Sequence, residues 1–382
     1  MLRALGIISE YDPFHNGHAY LLKSALRQTG ADVSVAVMSG NWVQRGEPAL
    51  FDKWSRSEAA IKGGINLVVE LPFFSAVQPS HLFSQGAVRL VAGLKCHWLC
   101  FGAENPQFDY QKLIANQPNK SSEFKRFDQP YASIFQDYLK RRTGISLNQP
   151  NDILAFGYAN ANNNIGSPLE LVPIKRVGQD HNDSSLDLNS NIASGGTIRS
   201  AIIKKDLLDV KKLVPQTSVK MIEEADQFTW HYFWPLLRYE LIETPISELH
   251  RIYQMTEGIE YRLKKAAENA ATFSDFLHLV KTKRYTFTRI QRLCCYVLVH
   301  AYEDDMQVLP SYVRVLAFDN LGQMYLNQVK GSLDFPLVTK VTDEIAKKEL
   351  KLDVKAGMLF QMVNNQSQDF YKHPLILSRK TP

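Results

Sequence analysis

The sequence has few cysteines and no long apolar run, and both features limit what the protein can be. Its 382 residues include four cysteines, Cys96, Cys100, Cys294 and Cys295, and none of them has CxxC spacing. A disulfide framework or a zinc site is therefore not expected. No segment approaches the roughly 20 apolar residues that cross a bilayer, and the N-terminus carries no signal-peptide pattern. We expect a cytoplasmic protein with reduced thiols, no membrane segment and no metal site of its own.

The chain also lacks a strong charge bias, internal repeats and low-complexity tracts. Its net charge is +5, and 45% of its residues are hydrophobic and 22% are charged, which is typical of a globular protein. A chain of this length is too long for one compact core. Because aromatic residues cluster from residue 228 onwards, we place a boundary near residue 220 and predict two domains, 1–220 and 221–382.

The first half alternates apolar runs with amphipathic stretches, which predicts an α/β domain. Continuous apolar strands separated by helices are typical of a parallel sheet covered on both faces, and such a Rossmann-like sheet binds ligands at the carboxyl ends of its strands. The second half is predicted to be mainly helical, with strand-like segments at 312–318 and 335–341, and the polar segment 179–191 to be a loop. The predicted strands are 2–9, 32–39, 65–71, 97–102 and 169–177, and the predicted helices are 19–28, 55–62, 81–92, 152–161, 259–271 and 287–302.

The junction of the first strand and the first helix carries the pattern HxGH, with His15, Gly17 and His18. Backbone N–H groups at the start of a helix attract an anion, and imidazoles spaced i, i+3 lie on the same side of the first turn. Such histidines can donate to the charge that develops on a phosphate during displacement. The alternative is that both histidines only cap the helix or lie on its surface.

Further loops at strand ends carry residues suited to a polar ligand. Segment 39–49 contains Gly40, Gln44 and Arg45, which fit an anionic or polar substrate, unless the loop is structural and Arg45 forms a surface ion pair. The glycine-rich turn 192–200 enters a helix with Ser194, Thr197 and Arg199 suited to the outer phosphates of a nucleotide. Gly102 either approaches an adenine or ribose or serves a simple turn, Asn151 either contacts a ligand or caps a helix, and Lys175 and Arg176 end the fifth predicted strand.

Together these motifs resemble a known family. The early HxGH and the late SGGTIR are similar to the paired motifs of the HIGH-type nucleotidyltransferase superfamily, although Ala193, Gly195 and Gly196 depart from the usual second motif. More narrowly, the chain resembles the tRNA(Met) cytidine acetate ligase family over nearly its whole length. Asp12 stands where that family usually has asparagine. The matching segments are EYDPFHNGH, SGNWVQRGEPA, ELP, FGAE, PNDIL, IKR, ASGGTIR, EGIE and KTKRYTFTRIQR.

The resemblance implies a two-step reaction. Acetate attacks the α-phosphate of ATP to give acetyl-adenylate and pyrophosphate, and the wobble cytidine of elongator tRNA(Met) then takes the acetyl group to become N4-acetylcytidine. ATP is implied as co-substrate, with Mg²⁺ accompanying it, and DNA is not an expected partner. We expect His15 and His18 to stabilise the α-phosphate, and Arg199 and Arg176 to hold pyrophosphate. The implied ATP site comprises Ile8, Ser9, Glu10, Tyr11, Asp12, Pro13, Phe14, His15, Asn16, Gly17, His18, Ala19, Tyr20, Leu21, Gly102, Asn151 and Arg176, to which the glycine-rich turn adds Ser194 and Thr197.

A cationic segment in the second half is a candidate RNA surface. It contains five cations and no acidic residue, namely Lys281, Lys283, Arg284, Arg289 and Arg292. If it is helical, Lys281, Tyr285, Arg289 and Arg292 form one stripe, and Ile290, Leu293, Cys294, Val297 and Leu298 face the core. A basic stripe with a tyrosine suits phosphate contacts and base stacking. The alternative is a solvated helix face without a partner.

Three other functions remain open from the sequence. A nucleotidyltransferase that moves AMP or CMP onto a small phosphorylated acceptor would share the nucleotide site but would not need the cationic segment. A non-catalytic RNA-binding protein would not need intact HxGH and SGGTIR motifs. A class I aminoacyl-tRNA synthetase is disfavoured because no clear KMSKS-like motif follows.

Overall fold

The computed structural model describes residues 1–118, 131–177 and 191–378, and of Tyr131 and Ala132 only the backbone. The predicted loop 179–191 lies outside the described residues except for Asn191. The bounds of the five predicted strands of the first half agree with the structure to within two residues. The strands are β1 (Ala4–Ser9), β2 (Val33–Ser39), β3 (Trp42–Val43), β4 (Glu47–Pro48), β5 (Leu67–Leu71), β6 (Trp98–Ala103), β7 (Glu170–Lys175), β8 (Val313–Phe318), β9 (Leu337–Val338) and β10 (Leu375–Ile376).

Helices connect these strands and form most of the region between residues 195 and 306. In the first half they are α1 (Asn16–Thr29), α2 (Lys53–Lys62), α3 (Phe73–Ala76), α4 (Ser80–Gly93), α5 (Tyr110–Ala115), α6 (Tyr131–Thr143), α7 (Pro150–Asn164), α8 (Gly195–Ile203), α9 (Leu207–Leu213) and α10 (Gln216–Glu224). In the second half they are α11 (Trp230–Glu243), α12 (Ile246–Arg251), α13 (Ile259–Asn269), α14 (Phe273–Val280), α15 (Phe287–Val299), α16 (Glu303–Met306), α17 (Asn320–Val329), α18 (Asp343–Lys347) and α19 (Lys351–Asn364).

The central sheet has the order β10-β8-β5-β2-β1-β6-β7, and β9 pairs with β8. Strands β5, β2, β1, β6 and β7 run parallel, whereas β8 pairs antiparallel with β5. The chain goes from β1 outwards to β2 and β5, and then returns to the other side of β1 to form β6. This reversal next to β1 leaves a crevice at the carboxyl ends of β1 and β6, where doubly wound sheets bind ligands. The predicted α/β fold with a mainly parallel sheet is confirmed.

The sheet is covered on both faces, which explains its continuous apolar strands. Along β2, Val33, Val35 and Val37 face a core that includes α4 and α7, whereas Ala36 and Met38 face one that includes α1, α2 and α8. Because successive side chains of a strand point to opposite faces, both sets must be apolar.

The predicted helical region of the second half is also confirmed. Its core joins α11, α13, α14, α15 and α19, and Trp42 of β3 packs into it with ring centroids 5.3 Å from Trp230 and 5.0 Å from Phe233. Strands β8, β9 and β10, however, return to the central sheet, so the sheet contains residues from both sides of residue 220. The division into 1–220 and 221–382 therefore stays a prediction. No helix among the described residues is long and apolar enough to cross a membrane.

A buried ionic cluster ties the C-terminal residues to the sheet. Nζ of Lys53 lies 2.9 Å from Glu70 and 2.7 Å from Asp369, and Nη1 of Arg314 contacts the same two carboxylates at 3.1 and 2.6 Å. All four residues are 1–3% exposed. Glu70 belongs to the ELP motif of the sequence, and its ion pairs with Lys53 and Arg314 give it a structural role.

Replacing Lys53 with methionine is expected to lower the free energy of unfolding by about 3–5 kcal/mol, because two buried carboxylates would then share one cation. Chemical denaturation measures this loss. Lys62→Met on the same helix is the control, since Lys62 is exposed and pairs with the partly exposed Glu58. Equal stability of the two variants would contradict a stabilising role for the cluster.

Candidate functional site

A cleft of about 840 Å³ opens at the carboxyl ends of β1, β6 and β7, as the sheet topology requires. The ends of these strands, the start of α1, the start of α7 and the glycine-rich turn before α8 form its walls. His18 and Arg199 therefore lie in one cleft. Of the residues predicted from the sequence, those that line it are Ile8, Ser9, Glu10, Tyr11, Asp12, His15, Gly17, His18, Tyr20, Leu21, Gln44, Arg45, Gly102, Asn151, Arg176, Ser194, Thr197 and Arg199.

The two histidines of the HxGH motif are stacked at the start of α1. Their ring centroids are 3.8 Å apart with an interplanar angle of 27°. His15 is the N-cap of the helix: its Nδ1 accepts the Gly17 N–H at 3.1 Å, and Nδ1 of His18 accepts the His15 N–H at 3.3 Å. This pattern assigns the proton of each neutral ring to Nε2. The histidines thus cap the helix with Nδ1, and Nε2 of His18 lies 3.4 Å from the Ser9 hydroxyl.

Gly17 is required by this arrangement. A side chain at this position would place its Cβ 2.8 Å from Cε1 of His15, so only glycine lets the ring fold back over the first turn. The glycine of the HxGH motif therefore leaves room for the ring of the first histidine, His15.

Burial keeps His18 neutral. Loss of solvent is the main cause that lowers the pKa of His18 well below 6.5, and the neighbouring His15 and Arg176 lower the pKa further. The ring is therefore a neutral Nε2–H donor at physiological pH.

The lowered pKa of His18 predicts a pH dependence of stability. The unfolded chain binds a proton at this residue as the pH falls through 6.5, and the folded chain does so only at lower pH. The free energy of unfolding should therefore decrease as the pH is lowered from 6.5 to about 5.5. This decrease should be smaller in His18→Gln than in the unaltered protein, by up to about 1 kcal/mol. Denaturant titrations at the two pH values measure the difference. An identical fall in both proteins would contradict the neutral assignment.

The glycine-rich turn lies across the cleft from the histidines. A methyl group built on Gly195 would lie 3.6 Å from Nε2 of His15. Ser194 is the N-cap of α8: its Oγ accepts the Thr197 N–H at 3.2 Å and lies 2.8 Å from the Thr197 hydroxyl. The start of a second helix thus faces the same space as the start of α1, and two helix N-termini favour an anion between them.

Arg199 projects from α8 towards two carboxylates. Its Nη1 donates to Oε2 of Glu47 at 2.6 Å, and its Nε lies 3.3 Å from Oδ2 of Asp12. Burial alone would lower the pKa of the guanidinium, but Asp12 and Glu47 outweigh burial and raise this pKa above its ordinary value. Arg199 is therefore a permanent cation in a fixed position. Asp12, which replaces the usual asparagine of the family motif, takes part in holding it.

Glu10 follows β1 on the same wall of the cleft. Its Oε1 accepts the backbone N–H of Gln44 at 3.0 Å. Burial raises the pKa of the Glu10 carboxyl, and the hydrogen bond from Gln44 opposes this increase only in part. Gln44 itself donates from Nε2 to the carbonyl of Gln78 at 2.8 Å, so this loop is firmly attached to the cleft wall.

On the opposite wall, Glu104 organises two of the predicted residues. It accepts the side-chain amide of Asn151 at 2.6 Å and lies 3.7 Å from Nε of Arg176, whose side chain packs over Gly102. Asn151 is not the helix cap that the sequence left open, because α7 begins at Pro150 and its N-cap is Gln149.

Five predicted residues do not line the cleft. Phe14 is fully buried and packs against His18, Asn16 donates to the carbonyls of Asn191 and Lys212, and Pro13 and Ala19 are not part of the cleft lining. Gly40 lies in the interior, where its carbonyl accepts Arg56 and a Cβ would meet Glu70. These neighbours give Gly40 a structural place outside the lining of the cleft, and its role in a substrate loop stays a prediction.

The cleft also contains residues that the sequence did not single out. Phe83, Tyr158 and Glu47 line it, as do Phe101 and Ile203. Glu47 lay within a quoted motif, but no pattern marked it as a contact of Arg199. Tyr158 and Phe83 have the apolar spacing of buried helix residues, so no sequence signal distinguished them from the core.

The cationic segment is not one continuous helix, which the predicted stripe required. Helix α14 ends at Val280 and α15 begins at Phe287 with Thr286 as its N-cap, so residues 281–286 are not helical. Tyr285 is 7% exposed beneath the guanidinium of Arg289, and Arg292 is 8% exposed. Neither side chain lies on the surface, and the predicted stripe is wrong at both positions. The predicted core residues Ile290, Leu293, Cys294 and Val297 are indeed buried, and Leu298 packs partly against the core.

A smaller cationic surface remains, which we call the basic surface: Lys281, Lys283, Arg284, Phe287 and Arg289. Phe287 is 40% exposed, and Nζ of Lys281 lies 5.5 Å from its ring centroid. Arg284 and Arg289 both pair with Glu257, and Lys283 is exposed. The exposed ring is therefore Phe287, next to cations that reach solvent.

Comparison with known proteins agrees with this architecture. The family described as HIGH Nucleotidyl Transferase matches residues 2–373. A tRNA(Met) cytidine acetate ligase of Levilactobacillus brevis is 50% identical over 374 residues, and that of Lactiplantibacillus plantarum is 40% identical over 375 residues, with 98% of each chain covered in both cases. Two crystal structures of Thermotoga maritima TmcAL, one apo and one bound with alpha-thio ATP, superpose with TM-scores of 0.90 and 0.86 at 28% identity, covering 99% of this chain and all of the other.

Proposed function

Because this chain belongs to the HIGH nucleotidyltransferase family and, within it, to the tRNA(Met) cytidine acetate ligases, we propose that it activates acetate with ATP and transfers the acetyl group to the wobble cytidine of elongator tRNA(Met). The products are N4-acetylcytidine, AMP and pyrophosphate. One observation carries most of the proposal: the Nε2 edge of His15 and the glycine-rich turn before α8 face each other across one cleft. A relative of similar fold that binds an ATP analogue supports it.

In the first step, an oxygen of acetate attacks the α-phosphorus of ATP, and the bond to the bridging oxygen of pyrophosphate breaks. The reaction needs stabilisation of charge and positioning, and no covalent intermediate with the protein. We assign the α-phosphate to the Nε2–H donors of His15 and His18. Arg199 and Arg176 would hold the departing pyrophosphate, and Gly102 and Asn151 the nucleoside.

In the second step, the N4 amine of cytidine attacks the activated carbonyl and loses one proton, and the bond between the carbonyl carbon and the phosphate oxygen breaks to release AMP. The RNA would approach across the basic surface, where Lys281, Lys283 and Arg284 can contact phosphates and Phe287 offers a face for stacking. This role is supported by the exposure of Lys283, Arg284 and Phe287 and by their place in one segment with the partly exposed Lys281.

Mg²⁺ is expected to enter with ATP. Asp12 and Glu47, two carboxylates beside the phosphate side of the cleft, are both engaged with Arg199. Because both carboxylates are paired with Arg199, phosphate oxygens of ATP would supply most of the ligands of the ion. The ion would neutralise part of the triphosphate charge.

The decisive experiment incubates the protein with ATP, labelled acetate and elongator tRNA(Met), followed by digestion to nucleosides. We expect the label in N4-acetylcytidine, dependent on ATP. An otherwise identical tRNA with uridine at the wobble position is the control. If the label stays out of cytidine, and a labelled nucleotide instead appears in a small phosphorylated acceptor, the chain is a nucleotidyltransferase and the proposal is wrong.

A further inference from the structure

Arg199 is connected to helix α15 through a single carboxylate, that of Glu47. We propose that Glu47 is a positioning residue for the first step: it fixes the Arg199 guanidinium beside the phosphates and is itself held in place by α15. This inference rests on the proposed function, because it concerns how Arg199 meets the departing pyrophosphate.

Both oxygens of Glu47 are used. Oε2 accepts Nη1 of Arg199 at 2.6 Å, and Oε1 accepts Nε2 of Gln291 at 3.1 Å. The two partners stand on different elements, α8 and α15. The carboxylate cannot rotate without losing one of them, so its orientation is set from both sides.

The turn that carries Glu47 is rigid for a separate reason. Gly46 has φ of +77°, and a Cβ there would lie 2.3 Å from the backbone N of Arg292, so the turn between β3 and β4 packs directly on α15. A glycine is required on both counts. Trp42, at the start of the same hairpin, is buried between Trp230 and Phe233. The hairpin is therefore packed against the helical region, and this packing fixes the backbone of Glu47.

The contacts of Arg199 leave donors for a ligand. A guanidinium has five N–H groups, and here Nη1 meets Glu47, Nε lies beside Asp12 and Nη2 lies 3.4 Å from the Pro48 carbonyl. Contacts on several sides fix the plane of the group, while other N–H groups remain available. A cation that is already oriented needs no rearrangement as pyrophosphate departs.

Glu47→Gln should affect catalysis and binding differently. The variant retains the size of the side chain but replaces the charged contact of Glu47 with Arg199 by a neutral one, so the guanidinium is held less firmly, with Asp12 and the Pro48 carbonyl as its remaining strong contacts. Removing a negative charge beside the triphosphate also favours ATP binding, which offsets the lost orientation in the ground state. We expect acetate-dependent ATP–pyrophosphate exchange to slow by roughly 10- to 100-fold, while the dissociation constant for ATP changes by less than about threefold.

A double-mutant cycle tests whether Glu47 acts through Arg199. Exchange rates and ATP affinity by calorimetry are measured for the unaltered protein, Glu47→Gln, Arg199→Ala and the double variant. Glu58→Gln is the matched control, since the Glu58 side chain is 44% exposed and pairs with Lys62 outside the cleft. The loss caused by Glu47→Gln should disappear when Arg199 is already alanine.

A second variant tests the anchor on α15. Gln291→Ala leaves the ion pair of Glu47 but frees its other oxygen, so we expect a smaller loss of exchange rate in the same direction. Gln323→Ala, on the exposed side of α17, is the control.

Two results would overturn the positioning role: an exchange rate in Glu47→Gln equal to that of the unaltered protein, or an undiminished loss in the Arg199→Ala background. Absence of acetate-dependent exchange in the unaltered protein would instead contradict the proposed function itself. The two failures are therefore distinguishable.

Discussion

Replacing His18 with alanine is expected to reduce acetate-dependent ATP–pyrophosphate exchange by at least about 100-fold, because a preorganised donor to the reacting phosphate is lost. The ring is already positioned before ATP binds: its Nδ1 is held by the His15 backbone, and the ring packs edge-on against Tyr11 with centroids 4.9 Å apart. Folding therefore orients the donor, and no further loss of side-chain conformational entropy is needed when ATP binds. Exchange of labelled pyrophosphate into ATP measures this step without RNA.

His18→Gln separates chemistry from packing. Alanine leaves a gap beside Tyr11 and Phe14, whereas glutamine fills part of it and carries an amide N–H near the place of Nε2. We expect the glutamine variant to retain more exchange activity than the alanine variant at similar thermal stability. His97→Ala is the control, because His97 is exposed outside the cleft. Normal exchange in His18→Ala would remove this residue from the mechanism.

Replacing Lys281, Lys283 and Arg284 together with alanine is expected to lower acetylation of tRNA by about tenfold or more at low salt and to leave pyrophosphate exchange unchanged. Each lost phosphate contact reduces the dependence of log affinity on log salt by about 0.7 for single-stranded RNA, so the slope should decrease by up to about 2. Binding titrations over a range of salt concentrations measure the slope, and labelled acetate measures the transfer.

The control for this triple variant replaces Lys62, Lys220 and Lys348 with alanine. These lysines are exposed and each pairs with one nearby acid, as Arg284 does with Glu257. The same number of charges is thus removed elsewhere on the surface. If both triple variants weaken RNA binding equally, the basic surface is not the RNA-binding site. RNA affinity would then depend on the net charge of the protein and not on the position of these cations.

Local patterns were sufficient for much of the fold. The apolar runs of β1, β2, β5, β6 and β7 predicted strands because a strand covered on both faces has no polar alternation. The position of HxGH after β1 placed two histidines at a helix start, and the structure has them there, on the same side of α1. The sequence could not predict that β8 enters the sheet antiparallel, since pairing between residues 67–70 and 314–318 depends on the path of the chain.

The cationic segment illustrates a different limit. The predicted stripe required one helix through residues 281–292, but the Thr286 hydroxyl caps a helix that begins at Phe287, as predicted, by accepting the Arg289 N–H. This change of direction buries Tyr285 and Arg292 and exposes Phe287. A stripe extrapolated across a helix end assigns side chains to the wrong face, because the 3.6-residue period is interrupted there.

The sequence by itself determined the types of residue at the strand ends and the order in which they occur, because short-range spacing places histidines, glycines and hydroxyls at helix starts whatever the rest of the chain does. Only the tertiary structure decided which of them share the cleft and what holds them. Glu47 and Gln291 are 244 residues apart in sequence, and their side chains are 3.1 Å apart in space. Lys53 and Asp369 are 316 residues apart in sequence, and their side chains are 2.7 Å apart. Such contacts depend on the packing of whole elements, and no local pattern encodes them.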